Sequence, residues 1–225
     1  MNNNITLPAL LFICFQISCA DANNEIKPNL NKNAFDGFTI QANTTKLNGY
    51  EYSIGRRKEV TFKTCKDALN YDISKIPEFE YFRFKLLLTS CTAINKFKSA
   101  SLSKESYFPD KFTDSDIKSF PALATPFLSK SEYTQRKDKT INKAHKELQI
   151  TSDKNGTKLL TKDDEIYIHI LGRGDFNGDK IEDLLVSSEW YARHAHGKHT
   201  DLVILSKTGK NNPIAVIWRM HGANW

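Results

Sequence analysis

Apolar residues recur at helical spacing in the first part of the chain. Between residues 78 and 98 they lie three or four positions apart along two stripes, which predicts a long and largely buried helix. A short helix is predicted just before it, at 65–71, and Pro77 separates the two. Residues 99–133 show only weak periodicity, which is typical of short helices and connecting loops.

Strand patterns dominate the later part of the chain. Ile166, Ile168 and Ile170 alternate with other side chains, and further runs rich in β-branched residues follow. Short strands joined by short connections favour an antiparallel sheet. The pattern therefore predicts an α+β fold, with a helical segment at about 65–135 followed by an antiparallel β-sheet at about 147–219.

Two Asn-Gly pairs predict tight turns. Asn155-Gly156 separates two short strand patterns, at 147–152 and 157–160, and predicts a hairpin. Asn48-Gly49 lies between alternating stretches that begin at Phe38 and Tyr50, and predicts a second one.

The amino-terminal segment has the features of an export signal. The apolar run at 5–18 is too short to span a bilayer as a helix and matches the hydrophobic part of a signal peptide, although no Lys or Arg precedes it. Cleavage after Ala22 fits a small-residue site. In the alternative, residues 17–19 resemble the lipobox of bacterial lipoproteins, in which Cys19 is acylated. A buried amino-terminal helix is a third interpretation.

These features predict the domain organisation. Residues 1–22 form a signal peptide or lipoprotein signal, and 23–34 form a polar, flexible tether. A single α+β domain occupies 35–225. Export predicts a periplasmic or outer-membrane lipoprotein, or a secreted protein.

The cysteines agree with export. Removal of the leader leaves Cys65 and Cys91 as the pair in the folded part, and an oxidising compartment would join them in a disulfide. The alternative is two buried free thiols in a cytosolic protein.

Charge bears on the partner and not on the fold. The chain has 32 Lys and Arg against 26 Asp and Glu, and residues 136–162 hold much of the excess. Such a run usually forms a solvated face. In an exported protein it favours an unknown envelope protein, an anionic polymer or a glycan as partner. We expect no nucleic acid, and membrane attachment only through a lipid anchor.

The most specific pattern is an acidic loop between two strand patterns. Oxygen side chains stand at its first, third, fifth and ninth positions, and a backbone carbonyl is available at the seventh; the five residues are Asp175, Asn177, Asp179, Ile181 and Asp183. Calcium takes about six to eight oxygen ligands, which such alternation supplies when a loop wraps tightly. The loop therefore predicts a calcium site, with an Asp-rich turn that caps backbone amides as the alternative.

The segment 174–186 resembles a single calcium loop of the FG-GAP type, as found in integrin-alpha-like propellers. This resemblance implies calcium held between two strands, with a structural and not a catalytic role. Lys180 stands where such loops usually have glycine, and Val186 replaces the bidentate glutamate of an EF-hand. The pattern occurs once, so a whole propeller is not implied.

A histidine cluster is the alternative source of chemistry. His194 and His196 would share one face of an extended chain, and a bend at Gly197 would bring in His199, which suits zinc. A solvated loop between strands is the competing interpretation. The sequence thus predicts an exported binding or interaction module with a structural calcium loop; a zinc-dependent hydrolase is the alternative.

Overall fold

The computed structural model describes residues 25–53, 59–145, 147–153 and 156–220, and the fold over these residues is mainly β. Strands and isolated bridges account for 36% of them and helices for 28%. The predicted leader, 1–22, lies outside the described residues, as does Cys19.

Eleven strands lie within the described residues. They are β1 Asn29–Leu30, β2 Phe38–Ile40, β3 Thr45–Leu47, β4 Glu51–Ser53, β5 Glu59–Thr61, β6 Gln149–Asp153, β7 Gly156–Leu160, β8 Asp164–Gly174, β9 Asp183–Ala192, β10 Lys198–Ser206 and β11 Ala215–Arg219.

Five α-helices accompany them in the same part of the chain. They are α1 Cys65–Leu69, α2 Glu78–Lys98, α3 Asp114–Lys118, α4 Lys130–Arg136 and α5 Ile141–Ala144. Short 3-10 turns lie at Lys32–Phe35, Ile73–Lys75 and Ala122–Ala124. None of the helices in the described ranges is long and apolar enough to cross a membrane.

A seven-stranded antiparallel sheet forms the centre of the molecule. Its strands run in the order β11, β10, β9, β8, β7, β6, and β1 pairs with the far end of β8. The longest ladder joins β8 to β9, from Asp164 opposite Ala192 to Gly174 opposite Asp183. Two small hairpins, β2–β3 and β4–β5, lie outside this sheet.

The α+β prediction, with helices at 65–135 and then a sheet at 147–219, is wrong. Strands precede the helices along the chain, and β1 belongs to the large sheet, so the order of helix and then sheet is not found. The early strands are two or three residues long; alternation predicted a hairpin around Asn48-Gly49, but β1 is too short for a periodic signal. The segment 99–133, in turn, folds mostly without α-helix.

The two Asn-Gly predictions have different outcomes. Strands β6 and β7 pair as the hairpin predicted around Gly156. Asn48-Gly49 instead connects two separate hairpins, because the stretch from Phe38 pairs with Thr45–Leu47 and the stretch from Glu51 pairs with Glu59–Thr61. Gly49 has a φ of +78°, as such a turn requires.

Each face of the sheet is covered by a different part of the chain. On one face, the chain between α2 and β6 packs Phe108, Ile117, Phe120 and Ile141 onto apolar strand residues. On the other face, α2 packs Ala93 and Ile94 against Leu185 and Leu202. The sheet is therefore the middle of three layers.

The predicted disulfide is confirmed. Cys65 at the start of α1 is bonded to Cys91 in α2, with their Cα atoms 5.3 Å apart. Around the bond, Tyr52, Phe62 and Phe84 form a small aromatic core. The bond thus joins the helical layer to the segment that carries the two hairpins.

The described part of the predicted tether, residues 25–34, lies against the sheet. Its strand β1 pairs with Gly172 and Arg173, and Ile26 forms a bridge with Ser103.

Candidate functional site

The predicted calcium loop connects β8 to β9. Gly174 and Asp183 form the last pair of the ladder, so the chain between them closes into a loop. Asp175 and Asp183 lie buried at the base of this loop, whereas Asn177 and Asp179 are exposed at its tip.

Carboxylates of the loop accept hydrogen bonds from its own backbone. Asp175 accepts from the N–H groups of Asn177, Gly178 and Lys180, at 3.1, 2.6 and 3.0 Å. Asp179 Oδ1 accepts from the Ile181 N–H at 2.8 Å, and Asp179 Oδ2 accepts from the Asn177 side-chain amide at 3.0 Å. The loop therefore holds its shape through the amide caps of an Asp-rich turn.

Asp183 is the exception at the base of the loop. Its Oδ2 accepts from the Phe176 N–H at 3.1 Å, but its Oδ1 has no hydrogen-bond partner among the described residues, and the residue is 0% exposed. Burial raises the pKa of Asp183 to about 6, with Asp179 and Asp175 adding to the increase. The nearby Ser206 hydroxyl lowers this pKa, although it makes no hydrogen bond of normal geometry.

No preformed metal-binding site is found in the described part of the chain. No group of three or more His, Cys, Asp or Glu side chains there is arranged to hold a metal ion. Asp175, Asp179 and Asp183 are therefore not gathered around one point in this conformation. A cation at the loop would also need oxygens from Asn177 and the Ile181 carbonyl.

The loop holds a neighbouring segment against the end of the sheet. Asp175 forms a bridge with Ser101, and the Lys180 carbonyl accepts from the Lys104 N–H at 2.7 Å. The Glu105 carbonyl accepts from the Glu182 N–H at 2.8 Å. The conformation of the loop thus affects how the chain returns from α2 to the sheet.

An ion pair beside the loop was not predicted. Glu182 Oε1 accepts from Arg173 Nη2 at 2.6 Å and from the Ser106 hydroxyl at 2.8 Å. The Glu182 side chain is nearly buried and is already neutralised, so it is a structural group and not a free ligand.

The three histidines of the predicted zinc cluster lie in and beside a turn. His194 and His196 are exposed between β9 and β10, and His199 lies within β10 opposite Trp190. Because β9 continues to Ala192, the chain from 193 to 197 reverses direction, and the extended geometry assumed for His194 and His196 does not apply. No metal-holding group forms from them in the described residues.

A polar cavity was also missed by the sequence analysis. It has a volume of about 260 Å³ and lies between the middle of α2 and the sheet. Its walls come from α2, the chain near β1 and three strands; they are Asn31, Asn33, Ala34, Leu86, Thr89, Ser90, His169, Leu171, Ser187, Glu189 and Thr200.

Antiparallel register brings the polar residues of this cavity together. His169 lies opposite Ser187, and Glu189 lies opposite Thr200. His169 Nε2 is 3.9 Å from Glu189 Oε1, and the Tyr191 hydroxyl donates to Glu189 Oε2 at 2.5 Å. Burial, followed by this hydrogen bond, raises the pKa of Tyr191 above its usual value.

Tyrosine rings stand beside the cavity. A shallow surface depression lined by Glu165, Tyr167, His169, Glu189 and Tyr191 shares His169 and Glu189 with it. The Tyr167 and Tyr191 rings meet edge to face with centroids 5.9 Å apart. Cavity and depression are therefore neighbouring parts of one surface region.

The sequence contained one signal for this region. Polar and aromatic residues occupy alternate positions of β8 and of β9, which places each set on one face of its strand. Periodicity alone cannot distinguish a solvent-facing row from a row that faces a helix across a cavity.

Comparison of the chain with protein-family models, with curated proteins and with solved structures finds no match in any of the three. The function must therefore be inferred from the chemistry of the loop and of the cavity.

Proposed function

We propose that the protein is an exported, non-enzymatic binding module in which the β8–β9 loop takes up one calcium ion. One observation carries the calcium proposal: Asp183 is fully buried, and its Oδ1 has no hydrogen-bond partner among the described residues. A buried carboxylate oxygen without a partner is costly, and the costs rise further beside Asp175 and Asp179. A hard dication removes both costs, because it binds the free oxygen and neutralises the neighbouring charges.

The loop offers further oxygens to the same ion. Rotation of the exposed Asn177 and Asp179 side chains would replace their mutual hydrogen bond, at 3.0 Å, with metal ligation. The Ile181 carbonyl would complete the protein ligands, and water would fill the remaining positions. In this proposal the ion stabilises the loop and the segment that the loop holds, and has no catalytic role.

Export is supported by the disulfide between Cys65 and Cys91, since such bonds persist in oxidising compartments. Cleavage after Ala22 would place the domain in the periplasm or outside the cell; in the alternative lipoprotein form, cleavage before Cys19 would leave Cys19 as the lipid attachment site. An envelope protein, an anionic polymer or a glycan is the expected class of partner.

Calcium titration of the chelator-treated protein tests the loop. We expect calcium to bind and to raise the melting temperature of the wild type. Asp183→Asn should abolish this response while keeping the size of the side chain. Without calcium, the variant should be at least as stable as the wild type, because it removes a buried charge.

Asp163→Asn is the matched control, because Asp163 is exposed and lies outside the loop. It should respond to calcium as the wild type does. Absence of binding at about 1 mM calcium, or a wild-type melting temperature that is the same in calcium and in chelator, would overturn the proposal.

A further inference from the structure

The interface between α2 and the sheet is polar at one end and apolar at the other. Ala93 and Ile94 pack against Leu185 and Leu202 toward the end of the helix. About one turn earlier, near the middle of the helix, Thr89 and Ser90 lie with Ser187 and Thr200 of the sheet around the cavity of about 260 Å³. A helix that packs against a sheet normally buries apolar groups, so this polar end requires a separate explanation.

Thr200 is the polar residue that the fold leaves without a partner here. It is 0% exposed and lines the cavity, and its hydroxyl makes no hydrogen bond to the described residues. Buried hydroxyl groups in folded proteins are normally paired with protein, water or ligand. A group that occupies the cavity would satisfy this hydroxyl once the Thr200 side chain turns toward it.

The charges around the cavity favour an uncharged occupant. Glu189 is the acidic residue of the wall, and it already accepts from the Tyr191 hydroxyl and lies 3.9 Å from His169. No Lys or Arg is found among the described residues that line the cavity. A phosphate or carboxylate ligand would therefore have His169, which lies beside the Glu189 carboxylate, as its basic partner in this wall.

The remaining polar side chains of the wall can both donate and accept hydrogen bonds. Side-chain amides of Asn31 and Asn33 and hydroxyls of Ser90, Ser187 and Thr200 line the space. Each amide or hydroxyl can donate one hydrogen bond and accept another, which matches the two-way hydrogen bonding of a ligand rich in hydroxyl groups.

The volume of the cavity and the tyrosine rings beside it restrict the class of ligand further. A volume of about 260 Å³ corresponds to about eight or nine waters at their share of liquid volume, which is enough for one sugar ring and too little for a chain of them. Tyr167 and Tyr191 stand in the adjoining depression, where an aromatic face can cover the apolar C–H face of a sugar.

We propose that this cavity binds a single neutral sugar residue, either a free monosaccharide or the end of a glycan. Thr200, Ser187 and Glu189 would bind its hydroxyl groups, and the tyrosines would flank the next part of the ligand. This inference rests on the proposed role as a binding module and identifies its ligand class. It does not depend on calcium in the loop.

The test is titration of the full chain with glucose, galactose, mannose and N-acetylglucosamine, each up to about 10 mM, followed by saturation-transfer NMR and calorimetry. We expect at least one sugar to bind. Thr200→Val and Glu189→Ala should each weaken that binding by about tenfold or more, because each removes a hydrogen-bonding group that the ligand would use. Ser90→Leu, which fills the cavity from α2, should abolish it even if the other variants fold poorly.

Ser188→Ala is the control. Ser188 is also fully buried with a hydroxyl that lacks a partner among the described residues, but it lies on the opposite face of the sheet. It should bind sugar as the wild type does. Failure of all four sugars to bind, or equal binding by wild type and Ser90→Leu, would overturn the proposal.

Titrations in calcium and in chelator separate the two proposals. Sugar binding that persists in chelator, from a protein that shows no calcium response, would remove the calcium loop and keep the cavity. A calcium response without sugar binding would do the reverse. A glycan that binds only through its terminal residue, and competes with the free sugar, would identify the source as a polymer.

Discussion

Lys180 shows how one residue conflicts with the turn that it occupies. It has a φ of +69°, in the left-handed region where a non-glycine residue costs about 1–2 kcal/mol. Similar calcium loops usually have glycine at this position. The side chain is exposed, so its removal should disturb little else.

We therefore predict that Lys180→Gly stabilises the protein. The relief of the backbone cost should exceed the extra freedom that glycine gives the unfolded chain, for a net gain of about 0.5–1 kcal/mol in the free energy of unfolding. Urea denaturation measures it. Lys210→Gly is the control, since Lys210 is exposed and is not among the residues with positive φ, so its replacement should lower stability. Equal losses in both variants would contradict the prediction.

His145 makes stability depend on pH. It lies at the end of α5, and its Nε2 is buried without a hydrogen-bond partner among the described residues. Burial lowers the pKa of His145 from 6.5 to about 4; Arg136 adds to this effect and Asp164 opposes it.

The sign of this pH effect follows from proton binding. Between pH 6.5 and about 4 the unfolded chain binds a proton at His145 and the folded chain does not. The stabilisation that comes from burying the neutral imidazole is therefore complete above pH 6.5 and is lost as pH falls to about 4. The loss reaches up to about 3 kcal/mol. We expect His145→Leu to lose less stability than the wild type between pH 7 and 4.5, by chemical denaturation. Parallel losses in both proteins would contradict this.

At the scale of elements, a buried ion pair joins β10 to β11. Asp201 contacts Arg219 across the sheet edge, and both side chains are largely buried. Arg219 also donates to the Leu123 carbonyl and lies over the Phe127 ring, 4.5 Å from its centroid. Burial lowers the pKa of this guanidinium to about 10.

Loss of Asp201 should therefore be severe. Asp201→Asn leaves a buried cation without its counter-charge, and we expect it to lower the free energy of unfolding by about 3–5 kcal/mol. The control is Glu80→Gln, since the Arg83 partner of Glu80 is half exposed and such pairs contribute about 0–1 kcal/mol. Thermal and urea denaturation compare them. Similar small losses in both variants would show that the buried pair is not important for stability.

Elements with a long repeat could be predicted from sequence, and short ones could not. The helix predicted at 78–98 is present because its two apolar stripes extend over many turns. Strands β2 to β5 lie where a hairpin around Asn48-Gly49 was predicted, but the α+β class did not include these strands or β1. Local propensity cannot show that Asn29–Leu30 pairs with a strand far along the chain.

The acidic loop and the cavity also differ in how far each could be predicted from local sequence. The acidic loop lies within one short stretch, so its residues could be named from the sequence, although not how their side chains are arranged. The cavity depends on register, which brings His169 beside Ser187, and on the position of α2 above them. Neither the register of the strands nor the position of α2 can be predicted from a local sequence pattern.

At the scale of the whole molecule, the disulfide connects α1 to α2 beside the small core that these helices share with the two hairpins. Cys65 and Cys91 are 26 residues apart, and closing that loop should contribute about 3.5 kcal/mol on the chain-entropy model. The two small hairpins are not paired with the large sheet in the described residues. They depend on packing against α1 and α2.

We predict that the Cys65→Ala, Cys91→Ala double variant loses about 3 kcal/mol or slightly more of stability and loses it unevenly. Amides of β2 to β5 should exchange hydrogen faster, because their helical support is loosened, while the β8–β9 ladder should stay protected. Hydrogen exchange with mass spectrometry measures both regions in one experiment. Reduction of the wild type should reproduce the pattern, which controls for the changed side chains. A uniform increase in exchange across hairpins and sheet would mean that the molecule unfolds as one cooperative unit, and that the disulfide stabilises the sheet as much as the hairpins.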